Sequence, residues 1–193
     1  MATILAQLFA REENKKICAV SLDPNGCQSF LLKDDKTPVF PNVDVMVSIK
    51  TLPSKEELKN SGYDHVVIDV QPGMSQSGLK KIANVSNCVV IPVLLQRDAI
   101  TQARKTFDVI ASEANKQGLK ITVQFVVLLE DRLTSLMKQL LEQAKEELGQ
   151  PYQCLPMSRK IWGNFSRHNA FDKGIASGEV LIWSEFAQEL ISC

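Results

Sequence analysis

Short apolar runs closed by turn residues alternate along this chain with stretches whose apolar positions recur every three or four residues, and each type of pattern predicts a different element. Ile4, Leu5, Leu8 and Phe9 share one helical face, with Ala2, Ala6 and Ala10 filling in, so the sequence opens inside a helix with no capping residue ahead of it; Asn14-Lys15-Lys16 ends it. Ile17 to Leu22 reads as a buried strand that finishes in the turn residues Asp23-Pro24-Asn25-Gly26. From Asn42 to Ser48, Val43, Val45 and Val47 alternate with Asn42, Asp44 and Met46, which predicts a strand with one better-buried face. Pro53 to Asn60 reads as a short charged helix. The run Val66 to Ile68, too short for a buried helix, leads into Asp69 and is stopped by Pro72-Gly73, as a buried parallel strand would be.

The second half repeats the alternation. Gly73 to Asn84 can form a helix, and Cys88 to Val93 is another apolar run. A helix starting at Asp98 puts Ile100, Ala103, Phe107, Ile110 and Ala114 on one face and is ended by Gly118. Ile121 to Leu129 is the longest strand candidate, followed by an amphipathic helix carrying Leu133, Leu136, Met137, Leu140, Leu141 and Ala144 that closes at Gly149-Gln150-Pro151. Tyr152 to Met157 is expected to be the last strand, and a polar, basic stretch from Ser158 to Lys173 leads to a terminal helix from Trp183 to Ile191. Alternating strands and helices without linker or repeat imply an α/β fold, a mostly parallel sheet with helices on both faces, over a single domain spanning 1–193. Right-handed crossovers would place the loops after Leu22, Ile68, Val93 and Met157 along one edge of that sheet.

Composition narrows the class further. With 45% apolar residues, 23% charged residues and zero formal net charge, the chain is an ordinary globular sequence and lacks the overall basicity of a protein whose whole surface attracts nucleic acid. Cys18, Cys27, Cys88, Cys154 and Cys193 are far apart and odd in number, which reads as reduced thiols, and no Cys/His spacing suggests a metal site. No stretch has the basic flank and apolar core of a signal peptide or the ~18 apolar residues of a membrane span, so a cytoplasmic protein without a membrane partner is expected. Asp69 is the leading candidate for chemistry. At the end of a buried parallel strand, a carboxylate points into the crevice where open α/β sheets bind ligands and where an acid can organise Mg²⁺ around phosphates; the same residue could instead cap the following helix.

Three loops, Leu22-Asp23-Pro24-Asn25-Gly26, Ile68-Asp69-Val70-Gln71-Pro72-Gly73 and Val90-Ile91-Pro92-Val93, resemble in order and spacing the ParA/MinD family of deviant-Walker ATPases, small plasmid and chromosome partition proteins. Members of that family carry an Asp-Pro turn after the second strand, a Tyr-Asp-(apolar)-Ile-Asp-x-x-Pro Walker B strand and an Ile-Pro-Val strand end. The stretch from Ala2 to Arg11 with Lys15-Lys16-Ile17 is similar to the family's first helix and second strand, and Arg159 through Phe171-Asp172-Lys173-Gly174 to Gly178-Glu179-Val180 is similar to its variable arm and last turn. The departure is at the start. Family members begin with a strand and a glycine-rich loop ending Gly-Lys-Thr-Thr, whose N–H groups, lysine and hydroxyl hold the phosphates and Mg²⁺, and these 193 residues contain no such loop. Met1 is therefore expected to be an internal methionine of a longer reading frame, or the start of a natural truncation kept for a non-catalytic role. The lost central strand would leave its neighbours with open edges.

The resemblance implies roles for individual residues. Asp23 matches the acid that positions Mg²⁺ and the attacking water, with an Asx-turn at Pro24 as its structural alternative; Ser21 stands where many members have another Asp. Asp69 matches the Walker B acid that serves Mg²⁺, and Pro72-Gly73 the switch loop that responds to the γ-phosphate. Pro156 and Arg159 fall near the place where members contact the base, and Arg159, Lys160, Arg167 and Lys173, interleaved with Trp162 and Phe165, match a basic surface that contacts DNA phosphates without reading sequence, or else form a solvated loop. The implied activity is Mg²⁺-assisted ATP hydrolysis by an ATP-dependent homodimer that binds DNA non-specifically and is switched by a centromere-binding adaptor protein. The alternative is a pseudo-ATPase interaction module of the same fold, and a MinD-like membrane role ranks below both because Phe186 to Cys193 carries no base.

Overall fold

In the computed structural model the described residues are 1–10, 15–22, 43–47, 51–129, 133–149, 152–156 and 177–192, and they form two compact units, Met1–Ser75 and Gln76–Cys193. The first unit contains α1 (Ala2–Ala10), β1 (Ile17–Ser21), β2 (Val43–Val47), α2 (Lys55–Asn60) and β3 (His65–Asp69). The second contains α3 (Gln76–Val85), β4 (Cys88–Val93), α4 (Arg97–Gln117), β5 (Thr122–Leu129), α5 (Ser135–Leu148), β6 (Tyr152–Pro156) and α6 (Ser177–Ile191). The fold is α/β, and every ladder among the described residues is parallel. Among the described residues the strands form two three-stranded sheets, ordered β2-β1-β3 and β4-β5-β6, the parallel α/β class that the sequence suggested. β3 and β4 each end a sheet.

In the first unit β1 is central and buried along its whole length, as a five-residue run of small and branched side chains in the middle of a parallel sheet must be. Register places Ile17 beside Val43 and His65, and Ser21 beside Val47 and Asp69. The expected alternation of β2 is present, with Val43 buried and Met46 43% exposed. α1 covers the face that carries His65: its buried side chains Ile4, Leu5, Leu8 and Phe9 lie against the sheet, and the Phe9 ring sits 5.2 Å from that of His65. Asp64 fixes where β1 and β3 begin, since its carboxylate accepts from the Lys16 amide at 2.8 Å while its own amide donates to the Lys16 carbonyl at 2.9 Å. α2 buries no residue and depends on local bonds: Ser54 and Glu57 form a capping box that satisfies two backbone donors at its start.

In the second unit side-chain alternation divides the sheet into two faces. Ile91, Val93, Phe125 and Val127 pack with Ile100, Ala103 and Ile110 of α4, Ala83 of α3, and Ala144 and Leu148 of α5. On the opposite face, Gln153 donates to Glu189 of α6, whose Trp183, Phe186 and Ala187 are buried. Gly118, at φ 65°, ends α4 as expected, its left-handed backbone letting its amide reach back to carbonyls of the last turn. Three boundaries differ from the sequence reading. α3 begins at Gln76, because Gly73 sits at φ 73° in the preceding turn. α6 begins at Ser177, so Gly178 lies within the helix and does not delay it to Trp183. Leu136, expected on the apolar face of α5, is 64% exposed, because the packed stripe of that helix runs along Met137, Leu140, Leu141, Ala144 and Leu148. Pro92 is tolerated in β4 because that strand lies at a sheet edge, where a missing N–H need not interrupt a ladder.

Candidate functional site

The chemistry of the first unit gathers at the carboxyl-terminal ends of β1 and β3. Ser21 and Asp69 are register partners there, and the next amide along, that of Leu22, donates to the Asp69 carbonyl at 2.8 Å, which holds the two strand ends together. Ser21 is 1% exposed and Asp69 half-buried. Both belong to the face under α1, since they alternate in phase with Ile17 and His65. α1 runs antiparallel to β3: Phe9 meets His65 at the start of that strand, whereas the Met1 ammonium feels the charge of Asp69 at its end. Burial lowers the pKa of that ammonium, and the Asp69 carboxylate pulls it the other way.

The first turn of α1 therefore lies at the same end of the sheet as Asp69. Ile4 and Leu5 donate to the Met1 carbonyl at 2.9 and 3.1 Å, and the amides ahead of them have no acceptor within the helix. A carboxylate, a buried hydroxyl and a helix N-terminus together suit a hard cation accompanied by an anion. Asp69 lies within β3 and α3 starts only at Gln76, so capping that helix is not its task. Pro72 and Gly73 form the exposed turn that follows.

Other residues read from the sequence fall elsewhere. Pro156 ends β6 in the second unit, and its carbonyl accepts from Trp183 Nε1 at 3.0 Å. Asp23, Arg159, Lys160, Arg167 and Lys173 lie outside the described residues. Among the described residues no group of three His, Cys, Asp or Glu side chains could hold a metal by itself, and no helix is long and apolar enough to cross a membrane. Among the described residues Cys18, Cys88 and Cys154 form no disulfide; burial, aided by the nearby Asp44 charge, pushes the Cys18 thiol up to about 11 and keeps it protonated.

One polar pair was not foreseen. The Tyr63 hydroxyl donates to Asp44 at 2.9 Å, and that bond, with burial and the Asp44 charge, raises the Tyr63 pKa to about 12. Both residues are visible in the sequence, but only the β2-β1-β3 order brings them together.

In open parallel α/β sheets the carboxyl ends of the strands are where ligands bind. Comparison with solved structures specifies the fold. The chain superimposes on MinD in the MinC:MinD cell division complex of Aquifex aeolicus with a TM-score of 0.68 at 16% identity, covering 100% of this chain and 90% of that one. It matches a plasmid partition protein of Borrelia burgdorferi bound to AMPPNP with a TM-score of 0.60 at 18% identity, covering 99% and 91% of the two chains. A second plasmid partition protein structure from Borrelia burgdorferi gives 0.52 at 17% identity, with 99% and 89% covered. No protein-family model matches the sequence, and no curated protein does. The fold is that of MinD and the ParA-type plasmid partition proteins, as the loop motifs led one to expect.

Proposed function

We propose that the chain is a partition-type nucleotide switch in which the Ser21–Asp69 strand ends serve Mg²⁺ bound with ATP. The observation that carries the reading is the half-buried Asp69 carboxylate in register with buried Ser21 beneath the first turn of α1. The donor set fits Mg²⁺, which takes oxygen ligands and is commonly held by one or two carboxylates together with substrate phosphates and water. When bound, the ion would neutralise charge on the phosphate oxygens. Asp69 would hold the metal or one of its waters, Asp23 would orient the attacking water, and the Pro72-Gly73 turn would follow the γ-phosphate. Pro156 and Arg159 would lie along the base. Arg159, Lys160, Arg167 and Lys173 would contact DNA phosphates, in a homodimer switched by a centromere-binding adaptor. Supporting this, one structure with the same fold holds AMPPNP and another is a complex of MinD with MinC.

The test is calorimetric titration of Mg²⁺–ATP into the chain and into Asp69→Asn. Binding weakened by about tenfold or more in the variant, about 1.4 kcal/mol, supports the assignment; equal binding by both chains overturns it. The second reading is a non-catalytic role for the same fold. An interaction module of the same fold would bind no nucleotide in this titration, and Asp23→Ala would leave every cellular phenotype unchanged. The same titration on a chain lengthened by any upstream coding sequence separates the two readings, since binding by the longer chain alone restores the switch.

A further inference from the structure

We draw no further inference here: the strongest candidate, the apolar strand β3 (His65–Asp69) at the end of the β2-β1-β3 sheet, carries nothing because nothing in the structure shows what covers its outer edge.

Discussion

Arg104 tests whether the second unit is held by its carbonyl bond or by its ion pair. From α4 its Nη1 donates to the Leu148 carbonyl at the end of α5 at 2.9 Å, its Nε lies 3.0 Å from Asp108 Oδ1, and its guanidinium carbon lies 5.2 Å from the centre of the Phe107 ring. The pair with Asp108 spans one helical turn, with side chains 39% and 55% exposed, so solvent screening limits it to about 0.3–0.5 kcal/mol. The bond to Leu148 joins two helices and satisfies an acceptor that α5 cannot satisfy internally; with a charged donor in a partly buried setting it contributes about 1.5 kcal/mol. The ring contact adds about 0.5 kcal/mol. Arg104→Met keeps the apolar stem and removes all three, so it is expected to destabilise the protein by about 2 kcal/mol, against about 0.3 kcal/mol for Asp108→Asn. Urea unfolding followed by far-ultraviolet circular dichroism measures both. Repeating it in about 1 M salt should erase the Asp108 effect and leave most of the Arg104 effect. If Asp108→Asn destabilises as much as Arg104→Met, the assignment of the larger share to the Leu148 carbonyl is wrong.

Other consequences follow from single contacts. Trp183→Phe leaves the Pro156 carbonyl without its indole donor and opens space beside Phe186, so a loss of about 1–3 kcal/mol is expected in the same unfolding assay; a value within ~0.5 kcal/mol of the parent would mean that α6 is not docked through that bond. Tyr63, raised to about 12, favours the neutral phenol in the folded state, so its stabilisation is complete below pH ~10 and disappears as pH rises toward its folded value. Phenolate absorbance should show this late titration, and Asp44→Asn should move it down toward the ordinary tyrosine range; an unchanged midpoint in that variant would remove Asp44 as the cause. Glu57 has its pKa lowered, first by the Ser54 amide and then by the Ser54 hydroxyl, so the capping box contributes above the ordinary glutamate range and is lost as pH falls through the depressed value. Ser54→Ala should return the Glu57 carboxyl shift in an NMR titration partway to normal, and no change would argue against the box.

The strands were legible because each is a short apolar run that no helix could use, and Gly118 and Gly149 marked helix ends through the left-handed backbone that glycine alone adopts without strain. Helix starts were less legible. Gly73 and Gly178 look alike as breakers, yet one forms a turn and the other is carried inside α6, where the buried side chains Trp183, Phe186 and Ala187 hold the helix. The exposure of Leu136 shows the same limit, since periodicity defines a face but not how wide a stripe the neighbouring elements cover. Strand adjacency was not legible at all. A buried apolar run declares that it needs neighbours without saying which, so the Ser21–Asp69 apposition and the Tyr63–Asp44 bond became visible only with the β2-β1-β3 order.

That order also decides which experiment separates the two functional readings. A single carboxylate beside a serine hydroxyl is a weak site for Mg²⁺ alone, because that ion gives up its waters reluctantly and is usually completed by phosphates. Metal titration without nucleotide would therefore be nearly silent under either reading. The readings differ at the phosphates. A nucleotide switch needs amide donors around the anion as well as the acid, and the first turn of α1 offers the amides that a helix start leaves without an acceptor inside the helix. If those amides contribute, removing γ-phosphate charge by using Mg²⁺–ADP in place of Mg²⁺–ATP should weaken binding, and Asp69→Asn should reduce the difference between the two nucleotides. Equal affinity for both in the parent chain would place the binding energy on the base and ribose, and the strand-end acid would then have no part in sensing the γ-phosphate.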